Sequence, residues 1–195
     1  MNHPRQQLDS GRRTLMRCGV SVLLTQALGG TALAAALSAP MAAAEVSIEN
    51  FSPEGKSLGM VRIAKLVKSE DAWRTQLSAL AYYVTRQAGT ERAFSGEYAS
   101  SHADGLYRCI CCDTAQYDSR TKFESGTGWP SFWQPIAQEN VISSRDVSLG
   151  MVRTAVSCTE CDAHLGHVFD DGPAPTHLRY CMNSASLRFV ARKTG

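Results

Sequence analysis

Two cysteine pairs constrain this chain more than any other feature of its sequence. Cys109 and Cys112 form one Cys-x-x-Cys pair, and Cys158 and Cys161 form a second. Two such pairs have the spacing of a tetrahedral zinc site, in which each tight turn supplies two thiolates. Four protein ligands leave no open position for water, so a site of this kind stabilises a fold. The pairs therefore predict a small domain whose loops are joined by one structural Zn²⁺.

Other uses of these cysteines remain open from spacing alone. Cysteines in an exported protein commonly form disulfides. The four possible ligands from Cys158 to His167 could also form a local Cys₂His₂ site, but ligands every three residues cannot easily surround a tetrahedral ion. A thiol–disulfide exchange protein using Cys109 and Cys112 is a third alternative, disfavoured because the second pair directs those thiols to metal. In the favoured assignment Cys111 remains an additional thiol.

Cys181 stands in a different setting from the paired cysteines. It follows Arg179 and precedes the polar Asn183, and an alternation typical of a strand continues through Leu187 and Phe189. A thiol reacts as its thiolate, which a neighbouring cation and hydrogen-bond donors stabilise. The setting suits a nucleophile, but a segment like this taken alone more often holds a buried cysteine that packs as a small apolar group.

Two histidines flank a glycine shortly after the second cysteine pair. If the cysteines hold the metal, His164 and His167 are free to donate and accept protons near neutral pH. Taken alone, a histidine pair more often has a structural role than a catalytic one.

The first 44 residues have the composition of a targeting segment. Arg12 and Arg13 precede a weakly apolar run rich in alanine and glycine, and small residues at 42–44 suit signal-peptidase cleavage. The paired arginines favour a twin-arginine signal, with a Sec signal as the alternative. Either predicts export, to the periplasm in a bacterium with two membranes. No stop-transfer pattern follows, so a stable membrane anchor is not expected.

The remainder of the chain is nearly neutral. Residues 1–44 hold four arginines and one acidic residue, which leaves 16 basic and 17 acidic residues. Nucleic-acid binding depends on an excess of basic groups, so this balance argues against a nucleic-acid partner.

The mature chain divides into a lead and one domain. Residues 45–68 are predicted to form an extended lead, and residues 69–195 the domain. A helix is predicted over residues 69–88, capped by Ser69, with its apolar face formed by Trp73, Leu77, Leu80, Ala81 and Val84. Short apolar runs separated by turn residues then predict a mainly β fold, a small antiparallel domain preceded by one or two helices.

Residues 91–189 closely resemble the B-type peptide methionine sulfoxide reductases. Besides the cysteine pairs, the resemblance is carried by several ordered motifs: residues 94–98 (FSGEY), 122–126 (KFESG), 128–132 (GWPSF), 164–169 (HLGHVF), 171–173 (DGP) and 179–181 (RYC). The resemblance implies the zinc-stabilised β fold of that family. It also implies reduction of the R epimer of methionine sulfoxide, in proteins or peptides, to methionine.

The resemblance assigns a role to each matching residue. Cys181 is the implied nucleophile, and Trp129 is implied to pack against the substrate methyl group. The supporting catalytic residues are implied to be His164, His167, Asp171, Arg179 and Asn183. Oxygen transfer would leave Cys181 as a sulfenic acid. A thioredoxin-like or other thiol reductant would then regenerate it, in a protein expected to be a monomer.

Two departures from the family pattern affect these expectations. Thr127 occupies the position at which many members carry a resolving cysteine, so either an external thiol or Cys111 must reduce Cys181. His177 stands where the family often has glycine, and we assign it no role. The alternative function is a catalytically silent, zinc-stabilised β domain that binds a ligand or peptide. Such a domain would have no need of Cys181 with both histidines.

Overall fold

The computed structural model of the protein describes residues 44–193. The predicted targeting segment lies outside the described residues except for Ala44, and so does the Arg12–Arg13 pair on which it depends. Within residues 44–193, no helix is both long enough and apolar enough to cross a membrane.

Antiparallel strands make up most of the regular secondary structure of the described residues, in agreement with the predicted fold class. The strands are β1 (Glu45–Phe51), β2 (Ser57–Ala64), β3 (Gly105–Cys109), β4 (Ala115–Asp118), β5 (Lys122–Phe123), β6 (Ser131–Phe132), β7 (Val141–Asp146), β8 (Arg153–Cys158), β9 (His164–Phe169), β10 (Arg179–Met182) and β11 (Leu187–Ala191). They form a two-stranded sheet (β1-β2), a six-stranded sheet (β5-β6-β10-β9-β8-β7) and a three-stranded sheet (β11-β3-β4).

The lead predicted as extended pairs with itself as the β1-β2 hairpin, in which Val46 lies opposite Ile63. The hairpin is joined to the rest of the fold through Asn140. The Asn140 side chain accepts from Glu49 N at 2.8 Å and donates to Glu49 O at 2.9 Å and to Ala115 O at 2.8 Å. The lead is therefore an ordered part of the domain.

The prediction of one helix over residues 69–88 is wrong, because the structure has two helices there: α1 (Glu70–Gln76) and α2 (Ala79–Arg86). Ser78 adopts extended backbone between them and its side chain accepts from Ala81 N, so it caps a new helix. This break changes the phase of the apolar face. Leu80, predicted to be buried, is 48% exposed, whereas Trp73 and Val84 are buried.

The core lies between the six-stranded sheet and the three-stranded sheet, and aromatic rings fill it. Tyr117 stacks on Phe132 with ring centroids 4.4 Å apart, and Tyr107 meets the same ring at 5.0 Å. Tyr180 and Met182 of β10 are buried in this cluster. Because successive side chains of a strand point to opposite faces, Cys181 between them points away from the core.

Candidate active site

The register of β10 sets Cys181 among side chains from both neighbouring strands. Cys181 lies opposite Ser131 of β6 and opposite His167 of β9. Residues directly opposite in an antiparallel pair share one face, with Cβ atoms about 5 Å apart. The thiol, the serine hydroxyl and the imidazole are therefore neighbours on the face that points away from the core.

Gly166 allows this part of β9 to approach β10 closely. A Cβ atom at this position would lie 2.1 Å from the backbone oxygen of Cys181 and 2.9 Å from Met182 Cα. Real Cβ contacts are never that short, so a side chain would force the two strands apart. The close approach of β9 to β10 therefore requires glycine at position 166.

A chain of hydroxyl groups leads to the Cys181 thiol. Ser125 Oγ lies 2.7 Å from Ser131 Oγ and 2.8 Å from Thr127 Oγ1, and Thr127 Oγ1 lies 3.8 Å from Cys181 Sγ. Thr127 therefore presents a hydroxyl group to Cys181.

Burial raises the pKa of the Cys181 thiol above its ordinary value. The Thr127 hydroxyl, the charge of Arg179 and the Ser131 hydroxyl oppose that rise without cancelling it. Before substrate binds, Cys181 is thus mainly a protonated thiol at neutral pH.

His167 is held by a carboxylate that the sequence did not single out. Its Nε2 atom lies 2.8 Å from Asp146 Oδ2, and Arg153 Nη2 donates to the same oxygen at 2.7 Å. Desolvation lowers the pKa of His167, while the hydrogen bond with Asp146 opposes the shift. Asp146 itself accepts from Ser148 N at 2.8 Å, which fixes the carboxylate and lowers its pKa. The arrangement keeps a carboxylate beside an imidazole that can take up a proton.

His164 lies behind His167 and away from the thiol. Their ring centroids are 5.2 Å apart at an angle of 68°. His164 lines a separate polar cavity of about 460 Å³, and its buried Nε2 atom has no hydrogen-bond partner among the described residues. Desolvation lowers the pKa of His164 to about 4, so this ring is neutral at neutral pH. The structure therefore separates the two histidines, with only His167 in the cavity of Cys181.

An open cavity of about 170 Å³ surrounds Cys181. The residues that line it and were predicted as site residues are Trp129, His167, Cys181 and Asn183. The half-buried Trp129 supplies an apolar wall opposite polar groups, which suits a small ligand with one apolar and one polar end.

Glu91, which the sequence did not single out, ties two walls of this cavity together. Its buried carboxylate accepts from Ser184 N at 2.7 Å and from Ala185 N at 2.9 Å. Its backbone oxygen accepts from Trp129 Nε1 at 3.1 Å, and its backbone nitrogen donates to Asn183 Oδ1 at 2.9 Å. The Asn183 amide also donates to Leu165 O at 3.0 Å. Asn183 and Trp129 are therefore fixed in place through one residue.

Arg179 and Asp171 form a two-point ion pair beside the cavity. Nε and Nη2 of Arg179 each lie 2.8 Å from a carboxylate oxygen of Asp171. The guanidinium also stacks over the ring of Phe169, 4.3 Å from its centroid. This pair lowers the pKa of Asp171 and holds a positive charge near Cys181. The ion pair therefore contributes a positive charge near Cys181 and holds both side chains in place.

The two predicted cysteine pairs meet at one point, and all four sulfur atoms lie within 4.8 Å of one another. Cys109 Sγ lies 3.6 Å from Cys161 Sγ, and Cys112 Sγ lies 3.5 Å from Cys158 Sγ. Disulfide sulfurs are separated by only about 2.05 Å. A tetrahedral ion bound at about 2.3 Å from each sulfur separates them by roughly 3.8 Å. The four thiols fit a metal ion, and the histidines of the Cys₂His₂ alternative lie elsewhere.

Both cysteine turns have the same backbone structure. In the first, Asp113 N donates to Cys109 O at 2.9 Å; in the second, Asp162 N donates to Cys158 O at 3.0 Å. The two aspartates have φ of 69° and 56°, a left-handed conformation that short polar residues tolerate. Cys111 lies inside the first turn, buried, and is not one of the four clustered thiols.

His177 is an exposed loop residue with φ of 59°. Glycine would reach this left-handed conformation without strain. The structure gives His177 no contact with the cavity of Cys181.

Sequence reasoning missed Glu91, Asp146 and the hydroxyl chain through Thr127. The Asp-x-Ser sequence at Asp146 is typical of a turn in which the carboxylate accepts a hydrogen bond from a backbone N–H two residues later, as it does here. The pattern predicts the turn, but it does not predict which side chain contacts the second carboxylate oxygen. For Glu91, nothing in the local sequence distinguishes a buried acid from a solvated one.

Comparisons with known proteins show which chains this one is similar to. A model described as the SelR domain matches residues 77–191. The peptide methionine sulfoxide reductase MsrB of Pseudomonas entomophila is 56% identical over 128 residues, which cover 66% of this chain and 98% of that protein. The MsrB of Pseudomonas aeruginosa is 52% identical over 132 residues, 68% of this chain and 100% of that protein. The MsrB of a Synechococcus strain is 55% identical over 121 residues, 62% of this chain and 89% of that protein.

Proposed function

The chain belongs to the peptide methionine sulfoxide reductase B family, and we propose that it reduces the R epimer of methionine sulfoxide in proteins and peptides to methionine. The observation that carries this proposal is the position of Cys181, beside His167 in a cavity walled by Trp129. The choice of epimer comes from membership of the family.

The cavity offers a contact for each part of a methionine sulfoxide. The methyl group and sulfur pack on Trp129, since sulfur makes favourable contacts with aromatic rings. The sulfoxide oxygen faces His167, whose proton neutralises the charge that develops on oxygen as the thiolate attacks sulfur. Asn183 and Arg179 support this arrangement from fixed positions.

The first half of the reaction transfers oxygen from one sulfur to another. The Cys181 thiol and the sulfoxide yield methionine and a sulfenic acid on Cys181, so sulfur of the substrate is reduced and sulfur of the enzyme is oxidised. A dithiol reductant then forms a mixed disulfide with Cys181 and releases water. Its second thiol frees Cys181 and completes the disulfide of the reductant.

We propose that this reductant is external and thioredoxin-like. Thr127 places a hydroxyl, not a thiol, 3.8 Å from Cys181 Sγ. Cys111, the alternative resolving thiol, is buried in a cysteine turn and is 5% exposed. Both facts favour a reductant that approaches through the open cavity.

We propose that the metal ion is Zn²⁺, held by the thiolates of Cys109, Cys112, Cys158 and Cys161. Four thiolates in tetrahedral arrangement are typical of structural zinc. The ion supplies folding free energy and takes no part in oxygen transfer.

Export to the periplasm remains a proposal that rests on the sequence of residues 1–44. Fractionation of cells expressing the full chain tests it, because Arg12→Lys combined with Arg13→Lys blocks a twin-arginine signal but leaves a Sec signal competent. Retention of the unprocessed double variant in the cytoplasm is the expected result.

A steady-state assay with separate epimers tests the proposed activity. Residues 45–195 are supplied with the R or the S epimer of a blocked methionine sulfoxide and dithiothreitol. We expect turnover of the R epimer alone, and a loss of at least about 10⁴-fold in Cys181→Ser, since the nucleophile is removed. No turnover by a folded, metal-loaded protein would instead support the peptide-binding alternative.

A further inference from the structure

Phe94 carries an aromatic ring that is exposed to solvent and nevertheless fixed in position. The residue is 75% exposed, and its backbone has φ of 62°, a left-handed conformation that bulky residues rarely adopt. Its N–H donates to Gly128 O at 2.8 Å. The ring lies directly against Gly128, where a Cβ atom would be 2.7 Å from Phe94 Cδ2. Strained backbone persists only where surrounding contacts enforce it, and it is commonest at functional sites.

Phe94 lies on the side of the six-stranded sheet that carries Cys181. With Ser125 and Trp129 it lines a second cavity of about 170 Å³. Trp129 also lines the cavity of Cys181, so its side chain is a wall common to both spaces. Ser125 Oγ lies 2.7 Å from Ser131 Oγ, and Ser131 is the cross-strand neighbour of Cys181. The exposed ring therefore stands beside the space through which a second molecule reaches the thiol.

The residues around the ring are mostly small. Besides Ser125, Trp129 and the edge residue Glu124, the second cavity is lined by Gly96, Ala99, Ser100, Gly126 and Gly128. No long side chain among these small residues has to be ordered when a partner binds. A fixed aromatic ring on such a surface suits an anchor of a protein interface, in which aromatic residues supply much of the binding energy.

We infer that this surface, formed by Phe94 and the small residues around it, docks the dithiol protein that regenerates Cys181. The inference rests on the proposed function, because it locates the binding site of the proposed external reductant. Thr127 presents a hydroxyl to Cys181, and Cys111 is buried. The reducing thiol must therefore enter the cavity of Cys181, which is only about 170 Å³ in volume. Its entry brings the protein surface around that thiol against the cavity rim and the Phe94 ring.

A reductant gains more from a fixed anchor than a substrate does. Methionine sulfoxide lies at the end of a flexible side chain in many different sequences, whereas the reductant presents the same surface at every turnover. Its first thiol attacks the sulfenic sulfur of Cys181; an S–S bond forms, the S–O bond breaks, and the oxygen leaves as water with the thiol proton. Its second thiol then attacks the reductant's own sulfur in the mixed disulfide. Cys181 is released as a thiol, and the reductant is oxidised by two electrons.

Steady-state kinetics of Phe94→Asn with two reductants test the inference. Asparagine tolerates left-handed backbone, so the variant removes the ring and keeps the loop conformation. Oxidation and regeneration of Cys181 are separate steps, so kcat/KM for the reductant reports regeneration alone. With a bacterial thioredoxin kept reduced by NADPH and thioredoxin reductase, we expect kcat/KM for thioredoxin to fall about 10-fold. With dithiothreitol, which needs no docking surface, kcat/KM for blocked methionine-R-sulfoxide should stay within about twofold.

Val67→Asn is the matched control. Val67 is an apolar residue that is 78% exposed, lies outside the strands and helices, and lines neither cavity. Both of its kcat/KM values should equal those of the unaltered protein, so a loss confined to Phe94→Asn assigns the effect to the surface beside Cys181.

The contrary results are distinguishable. If the protein reduces no methionine sulfoxide with dithiothreitol, the proposed function fails and the inference with it. If dithiothreitol supports turnover and thioredoxin does not, the proposed reductant and its docking surface are both rejected. If thioredoxin supports turnover and Phe94→Asn leaves kcat/KM for thioredoxin unchanged, only the inference is overturned. A loss confined to kcat/KM for an oxidised protein substrate would overturn it as well, and would assign the surface to the substrate.

Discussion

At the scale of single residues, the reactive groups favour uncharged forms before substrate binds. Burial raises the pKa of Cys181 and lowers the pKa of His167. The state that the proposed attack requires, a thiolate beside a protonated imidazole, is therefore a minor one. Its population depends on the difference between the two pKa values, so a residue that alters either value changes the rate.

Asp146 is the residue that most directly supports a proton on His167. In Asp146→Asn the pKa of His167 falls further, because the carboxylate is lost and the charge of Arg153 remains. The reactive state is then rarer at every pH between the two pKa values. We expect kcat/KM on the pH plateau to fall roughly 10- to 100-fold and its acidic limb to move to lower pH.

A pH profile of kcat/KM checks this prediction, with Asp162→Asn as the control. Asp162 is exposed and pairs with Lys65 at 2.7 Å. An unchanged plateau and acidic limb in folded Asp146→Asn would show that His167 is not the proton donor.

The proposed use of an external reductant rests on the hydroxyl of Thr127 beside Cys181. A thiol in place of the Thr127 hydroxyl would start within about 4 Å of Cys181 Sγ, a separation that a small side-chain rotation closes to a disulfide. In Thr127→Cys we therefore expect an internal disulfide after one turnover without reductant, seen as the loss of two free thiols. Thr75→Cys, at an exposed position of α1, should show no such disulfide. A persistent sulfenic acid in Thr127→Cys would contradict the prediction.

At the scale of elements, the sequence predicted the strands better than the helices. The alternation of apolar residues at Leu187 and Phe189 correctly predicted β11, because one face of that strand packs on the core. The helical pattern over residues 69–88 continued through Ser78, and periodicity does not show where a capping side chain starts a second helix. The register of the strands could not be predicted from the sequence either. The sequence indicated Cys181 and His167 as candidate site residues, but it did not show that they are cross-strand neighbours.

The cap at Ser78 has a measurable consequence for stability. Its side chain accepts from Ala81 N at 3.1 Å, a bond that Ser78→Ala removes. The free energy of unfolding should fall by about 1 kcal/mol, while KM is unchanged because α2 lies outside the active-site cavity. Denaturant titration measures the change. The exposed β7 variant Ser144→Ala is the control, with an expected effect within about 0.5 kcal/mol. Equal stability in both variants would show that Ser78 does not cap α2.

At the scale of the whole molecule, the four clustered thiols join two separate sheets. Cys109 ends β3 of the three-stranded sheet, and Cys158 ends β8 of the six-stranded sheet. The spacing of the cysteine pairs predicted this junction because ligand geometry is a local property of a tight turn. The cavity around Cys181 depends on contacts between distant segments, such as Glu91 with Ser184, which no local pattern contains.

Loss of the metal should therefore destabilise the whole domain. We expect Cys112→Ser to purify with less than one equivalent of zinc and to melt at least about 10 °C lower than the unaltered protein. Cys111→Ser, one residue away in the same turn, should keep its zinc. Metal analysis and thermal unfolding measure both effects. A Cys112→Ser protein of normal zinc content and melting temperature would refute the four-thiolate site.

The central claim, that Cys181 accepts the oxygen of methionine-R-sulfoxide, is tested most directly by a single turnover without reductant. The protein is mixed with an excess of the R epimer, and methionine is counted while Cys181 is trapped and identified by mass spectrometry. The proposed mechanism predicts about one methionine per protein and one added oxygen on Cys181, trapped as the sulfenic acid adduct. Methionine formed with Cys181 unmodified, or oxidation found on Cys111 alone, would contradict it.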